Sequence, residues 1–244
     1  VQGLFHFRKA PTSECMGQAR DHWEKALSHD PESASLNAML GTVHGLDARF
    51  GWWDDRAKAL QKSRAYTDRA LELDPDNANA YSNSGAILLF QERFDEAVRD
   101  ARKAVELAPG AADVAEFASF VLAPAGYPEE AVVQSEKAIA LNPNHPPVYL
   151  GCLGNAYHLS GRIDEAIEAF KAYADRSPGF GLLDLVIIYQ QNGQPEKARQ
   201  TASELLAARP DFTITAWRKT QFRRDKARLE ADTEALSAAG LPMQ

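Results

Sequence analysis

Four prolines at nearly even intervals constrain the fold of this chain more than any other feature. Pro75, Pro109, Pro143 and Pro178 are separated by 34, 34 and 35 residues, and the first three each follow a leucine by two positions. Proline cannot continue a helix, because it lacks the amide hydrogen and its ring clashes with the preceding turn. The series therefore predicts an array of helical units about 34 residues long, and such arrays usually work by presenting a surface.

The residues between Pro75 and Pro109 predict two antiparallel helices joined by a turn at residues 91–95. Two helices approach to roughly 8–10 Å only where the side chains between them are short. Small residues are expected to let the backbones meet, and larger ones to fill the remaining volume. The positions are Tyr81, Gly85 and Leu88 on the first helix and Phe94, Ala97, Ala101 and Ala104 on the second.

This pattern resembles the tetratricopeptide repeat, a 34-residue helix–turn–helix unit, and it recurs along the chain. The resemblance implies an all-α fold, a right-handed superhelix (α-solenoid) of about six units with C-terminal capping helices. The predicted units are residues 1–34, 35–77, 78–111, 112–146, 147–179 and 180–212, and the cap covers residues 213–244.

Two intervals depart from the period. Pro31 and Pro75 are 44 residues apart, which predicts an enlarged turn and second helix in unit two, around Trp52 and Trp53. These rings could form an exposed docking anchor, but we interpret them as filling the gap left by the turn, with at least one ring buried. Pro178 and Pro210 are 32 residues apart, so the entry to unit six is expected to be irregular.

Composition narrows the class of protein. The net charge of −7 argues against non-specific binding to nucleic acid or to an anionic membrane, and no apolar run approaches the roughly 20 residues that span a bilayer. Cys15 and Cys152 fall in distant units, so no disulfide is expected and a reducing cytoplasm is the predicted location. The chain begins within a helical pattern, which we interpret as a piece of a longer protein or as a processed terminus.

No motif indicates catalysis. The six histidines are scattered without metal-ligand spacing, and neither a nucleophile elbow nor a phosphate loop occurs. No catalytic residue, metal site or cofactor is predicted. An enzyme with an unrecognised site is the least favoured alternative.

The resemblance implies that the first helix of each unit lines a concave groove where a protein or peptide partner binds. Asp113, Glu116 and Asp184 stand where a module for C-terminal carboxylates would need cations, so a basic or neutral peptide suits the groove better. The alternative is a solvated inner wall without a ligand. The predicted partner-binding residues are Asn79, Ser82, Asn83, Glu116, Phe117, Phe120, Asn155, His158, Asp184 and Gln190.

The marked basic run lies in the C-terminal region. We interpret it as an exposed face of the capping helix, partly balanced by Asp225, Glu230 and Asp232. The alternative is contact with an acidic partner domain. Its members are Arg218, Lys219, Arg223, Arg224, Lys226 and Arg228.

The phrases at residues 3–9, 44–52 and 142–151, with the tail at residues 209–242, are similar to the C-terminal repeat region of many bacterial class III adenylate cyclases. This resemblance implies a regulatory interaction module from a bacterial signalling protein. It also implies an alternative role, in which the module self-associates and dimerises its parent.

Overall fold

The computed structural model describes residues 2–7 and 12–244, and within them every regular element is a helix. The helices are α1 (Gln2–Phe7), α2 (Ser13–His29), α3 (Ala34–Phe50), α4 (Arg56–Leu73), α5 (Ala78–Phe90), α6 (Phe94–Leu107), α7 (Ala112–Leu122), α8 (Pro128–Leu141), α9 (Val148–Leu159), α10 (Ile163–Arg176), α11 (Leu182–Gln191), α12 (Pro195–Ala208), α13 (Ile214–Arg218) and α14 (Lys226–Ala238).

The prolines end the helices as the sequence predicts. Helices α2, α4, α6, α8, α10 and α12 each stop two residues before one of six prolines, Pro31, Pro75, Pro109, Pro143, Pro178 and Pro210. The residue between helix and proline is no longer helical, with φ between −135° and −147°. The proline ring disfavours helical geometry at the residue before it, so the chain leaves the helix one residue early.

Consecutive helices pack as antiparallel pairs, and short residues allow the close approach. A methyl group on Gly85 of α5 would meet the Ala97 carbonyl oxygen of α6 at 3.2 Å, so the two backbones are nearly in contact. Each pair also packs on the next, with α3 against α5, α5 against α7 and α7 against α9. The predicted α-solenoid of stacked helical hairpins is confirmed.

Unit two contains the enlarged turn, together with two long helices of 17 and 18 residues. Asp47 is fully buried and organises the turn, because its carboxylate accepts hydrogen bonds from the backbone amides of Trp52, Trp53 and Asp54 at 2.8–3.2 Å. Both tryptophans pack into the core of the first two units and fill the gap, as expected. The expectation of a buried ring was wrong, since both remain half-buried; Trp53 lies over α2, where the Arg20 guanidinium is 4.5 Å from its ring centroid.

The entry to unit six is irregular for a steric reason. Gly181 precedes α11 with φ of +75°, and a β-carbon there would lie 2.5 Å from the Phe170 carbonyl oxygen. A glycine is therefore required both by the backbone conformation and by the close approach of α10.

The basic run does not form an exposed helix face. Residues 219–228, which we call the return segment, pass back along the turns of units two to five. Phe222 packs on Phe90 with ring centroids 4.9 Å apart, the Arg224 amide donates to the Pro124 carbonyl at 3.0 Å, and Arg228 donates to the His158 carbonyl at 2.7 Å. The acids Glu230 and Asp232 do pair with basic residues of the run, Arg218 and Arg223. Arg224 and Lys226 instead pair with acids of the solenoid, because the return segment lies against it.

Candidate functional site

The first helices of units two to five line a groove, and a cavity of about 190 Å³ opens at the end where these helices begin. Its walls come from distant parts of the chain, including Leu4 and Phe7 of α1, Met39 of α3, and Phe117 of α7. Apolar side chains dominate the lining, with a few polar groups among them. This combination is typical of pockets that bind a ligand side chain.

The opposite end of the groove is closed by the return segment. Phe222 lies against Phe90, and the guanidinium of Arg56 stacks on the Phe222 ring at 4.8 Å from its centroid. A second cavity of about 20 Å³, lined by Phe117 and Phe120, lies between α3, α5 and α7. This space has about the volume of one water molecule, so the groove can accept a ligand side chain only near its open end.

Glu116 is the most perturbed acid in the groove. It is 8% exposed, and in the described part of the chain its side chain makes one hydrogen bond, from Cys152 Sγ at 2.9 Å. Burial raises the pKa of Glu116 to about 7, and the nearby Asp113 adds to the rise. Burial likewise raises the pKa of the Cys152 thiol, so this cysteine is a poor nucleophile.

Arg49 is the cation in the interior of the groove. Its guanidinium lies 5.1 Å from the Phe50 ring centroid and 4.9 Å from that of Phe120, and it makes no hydrogen bond or ion pair with any described residue. Burial lowers the pKa of Arg49, opposed by the fields of Cys152, Tyr173 and Asp184. The groove therefore contains charges of both signs that are not directly paired.

Asp184 belongs to the same interior. Burial raises its pKa to about 6, while the field of Arg223 favours its ionised form. Arg223 enters from the return segment and is paired with the fully buried Asp232. Glu116 is buried and Asp184 is half-buried, and in both the loss of water raises the pKa more than the neighbouring cations lower it.

The structure brings part of the predicted set together. Asn79, Ser82, Asn83, Glu116 and Phe117 line the 190 Å³ cavity. Asn83 also has a structural role: it accepts from the Thr42 hydroxyl at 2.6 Å and donates to the Ala38 carbonyl at 2.6 Å, which ties α5 to α3.

The remaining predicted residues lie elsewhere. Phe120 faces the smaller cavity, and Asn155 is half-buried outside the lining of both cavities. His158 is 4% exposed and its carbonyl is bonded by the return segment, which turns this position into a packing site. Gln190 on α11 is half-buried, and its Oε1 is enclosed without a hydrogen-bond partner within residues 2–7 and 12–244.

Sequence reasoning missed the cations of the groove. It expected acids and amides, whereas Arg49 and Arg223 both reach the interior. Arg49 falls in the unit whose ten extra residues spoil the offsets from its proline, and Arg223 arrives from the return segment. Neither arginine lines the open cavity, and no lysine or arginine is among the described residues that do.

A cluster of His44, Asp47 and Asp54 in unit two places three ligand-type atoms within 4.8 Å of one another. Asp47 is committed to backbone amides, and Asp54 is paired with Lys58 at 2.8 Å and Lys62 at 2.6 Å. Those lysines hold the pKa of Asp54 down to about 2. Both carboxylates are therefore satisfied as the structural support of the enlarged turn, whereas His44 Nδ1 is enclosed without a hydrogen-bond partner among the described residues.

Comparison with known proteins bears out the repeat. Tetratricopeptide repeat family models match residues 66–99 and 126–179. The STIP1 homolog of Dictyostelium discoideum is 32% identical over 99 residues, 41% of this chain and 18% of that protein. The type IV pilus assembly protein PilF of Pseudomonas aeruginosa is 30% identical over 150 residues, 61% of this chain and 54% of that protein. The chain thus spans about half or less of the length of these relatives.

Solved structures share the architecture. PilW, described as a widely conserved type IV pilus biogenesis factor, superposes with a TM-score of 0.63 at 17% identity, over 84% of this chain and 90% of its own. YrrB, described as a repeat protein with an unusual peptide-binding site, gives a TM-score of 0.51 at 24% identity, over 80% and 95%. At these identities the likeness concerns the fold alone.

The chain is thus an α-solenoid that contains tetratricopeptide repeats. Repeats of this class mediate protein–protein interactions and are typically non-catalytic. No helix in residues 2–7 and 12–244 is both long enough and apolar enough to cross a bilayer.

Proposed function

We propose that this chain is an interaction module that acts by binding, not by catalysis, and that a peptide segment of a partner protein occupies its groove. The open cavity of about 190 Å³ carries the proposal, because its walls come from α1, α3, α5, α7 and α9 and converge on one space. The buried Glu116 supports the proposal, since burying a carboxylate without a cation is unfavourable and a ligand cation would offset that cost.

A selection followed by matched variants tests this proposal. Peptides displayed on phage are selected against the whole chain, and the binders are measured by fluorescence anisotropy. Asn79→Arg places a bulky cation in the cavity, and Val133→Arg places the same side chain on α8, where Val133 is 59% exposed. We expect Asn79→Arg to weaken the selected peptides at least tenfold and Val133→Arg to leave them unchanged. The reverse pattern would place the binding surface on the outer face.

We propose, on sequence resemblance alone, that the module belongs to a bacterial signalling protein such as a class III adenylate cyclase and works in the cytoplasm. Both cysteines are free in the structure, which is compatible with a reducing compartment. The gene sequence upstream of Val1 tests the parent, and a neighbouring region without a cyclase domain would remove it.

Self-association is a second proposal, favoured by two large apolar side chains on the outer side of α8. Val133 is 59% exposed and Leu141 is 43% exposed. Two such side chains make a small patch, so weak dimerisation is the most they support. Light scattering over a concentration series would show a rising mass, whereas a constant monomer mass at high concentration would eliminate this role.

A further inference from the structure

The open cavity has the size of one large side chain. A cavity of about 150 Å³ lined by Leu, Ile and Phe is known to admit benzene, and the cavity here measures about 190 Å³. Met39, Phe117 and Val148 contribute apolar surface from three helices of the solenoid, and Leu4 and Phe7 contribute from α1. An aromatic or long aliphatic side chain would thus lose most of its contact with water.

Glu116 supplies a charge at the same cavity. It belongs to the lining, it is 8% exposed, and no described nitrogen of a lysine, arginine or histidine lies within 4 Å of its carboxylate. The Cys152 thiol is a weak donor and leaves most of the acceptor capacity of the carboxylate unused. A ligand cation would replace the stabilisation by water that the carboxylate has lost through burial.

Arg49 does not fill this role. Its guanidinium is held between the rings of Phe50 and Phe120, towards the closed end of the groove. Among the influences on Glu116, the field of Arg49 is smaller than that of burial, of the Cys152 hydrogen bond and of Asp113. The cavity end of the groove therefore favours a positive group over a negative one.

We propose that the groove recognises an extended peptide of a partner protein in which a bulky apolar residue lies two positions from a lysine or arginine. The apolar side chain fills the cavity and the cation binds Glu116. In an extended chain, side chains two positions apart lie on the same face, about 6.6 Å apart along the strand, so both groups reach the same cavity. This inference rests on the proposed function and adds the chemistry of the ligand.

A small peptide series tests the inference on the whole chain. The probes are fluorescein-labelled, terminally blocked hexapeptides with phenylalanine or glycine at one position and lysine, glutamine or glutamate two positions later, with glycine and serine elsewhere; each is named by these two residues. A charged hydrogen bond lost in a buried site predicts at least about tenfold weaker binding. We expect the Phe-Lys peptide to bind at least that much more tightly than Phe-Glu and Gly-Lys in anisotropy titrations.

Glu116→Gln keeps the shape of the side chain and removes its charge. It should bring the affinities of the Phe-Lys and Phe-Gln peptides within twofold of each other, while the control Glu136→Gln, on the half-exposed side of α8, should preserve the wild-type difference. Equal binding of Phe-Lys and Phe-Glu to the wild-type chain would overturn the inference without any variant. If groove binders from the phage selection still depend on Asn79, only the ligand chemistry fails; if they do not, the proposed function fails with it.

Discussion

The buried pair of Arg223 and Asp232 allows a quantitative test of how the return segment is held. Asp232 is fully buried and accepts hydrogen bonds from Arg223 and, at 2.8 Å, from Gln191 Nε2. Asp232→Ala would leave the Arg223 guanidinium buried without its anion, at a cost of about 3–5 kcal/mol.

The matched variant replaces both charges together. Arg223→Met with Asp232→Leu removes the pair but retains its volume, and such exchanges are often neutral or stabilising by about 1–4 kcal/mol. We therefore expect the double variant to be more stable than Asp232→Ala by at least about 3 kcal/mol, although it contains one more substitution.

Urea denaturation read by two probes measures the effect. Trp217 lies in α13, just before the return segment, and its fluorescence reports local detachment once the other three tryptophans, Trp23, Trp52 and Trp53, are replaced by phenylalanine in every protein compared. Far-ultraviolet circular dichroism reports the helices as a whole. Solenoids can unfold in parts, which makes a comparison of the two midpoints informative. The reasoning is refuted if Asp232→Ala costs less than about 1 kcal/mol, below the range for a stranded buried charge, or if the double variant is no more stable.

Three further predictions concern packing, protonation and a buried amide. Gly154→Ala would place a methyl group 2.8 Å from the Phe170 ring, and thermal unfolding should show a loss of about 1–3 kcal/mol, while Gly110→Ala, with open space around it, should change stability by less than about 0.5 kcal/mol. Because the pKa of Glu116 is about 7 in the folded chain against an ordinary 4.5, the folded state holds the extra proton and this group's contribution to stability falls as pH rises from 4.5 to 7. Glu116→Gln should remove that decline of up to about 3 kcal/mol. If the melting temperatures of the wild-type chain and of Glu116→Gln instead change equally with pH across this range, the assignment is contradicted. Asn83→Ala should cost about 1–3 kcal/mol in chemical denaturation by leaving polar groups of α3 unbonded, and a loss below that range would show that water replaces the amide.

The fold followed from the sequence because its main determinants are local. A proline stops a helix by its own covalent structure, and the short residues that let helices approach recur in the same units. The N-cap of α4 also follows a local rule, because aspartate is favoured there and Asp55 accepts the Lys58 amide at 3.0 Å. Asp54 instead binds lysine side chains, a choice that depends on Asp47 beneath it and not on local propensity.

The groove followed only in part, because its content depends on contacts between distant segments. Offsets from the prolines brought Asn79 and Glu116 to the cavity. They did not indicate Arg49, in the unit with extra length, nor that the return segment contacts the backbone of His158. No local pattern near residue 222 indicates that a phenylalanine there packs on Phe90, so the closed end of the groove was not predictable.

The return segment has a consequence for how the protein is made. The return segment begins at Lys219, whose carbonyl accepts a hydrogen bond from Arg56, 163 positions earlier in the chain. Residues 219–228 therefore leave the ribosome after every unit that they contact. Stacked hairpins can form progressively during synthesis, because each contacts mainly its neighbours. The link across four units must wait for the late residues and must overcome the entropy of closing a long loop. Helix formation should therefore precede completion of the groove, and a stalled nascent chain would be helical but still open at that end.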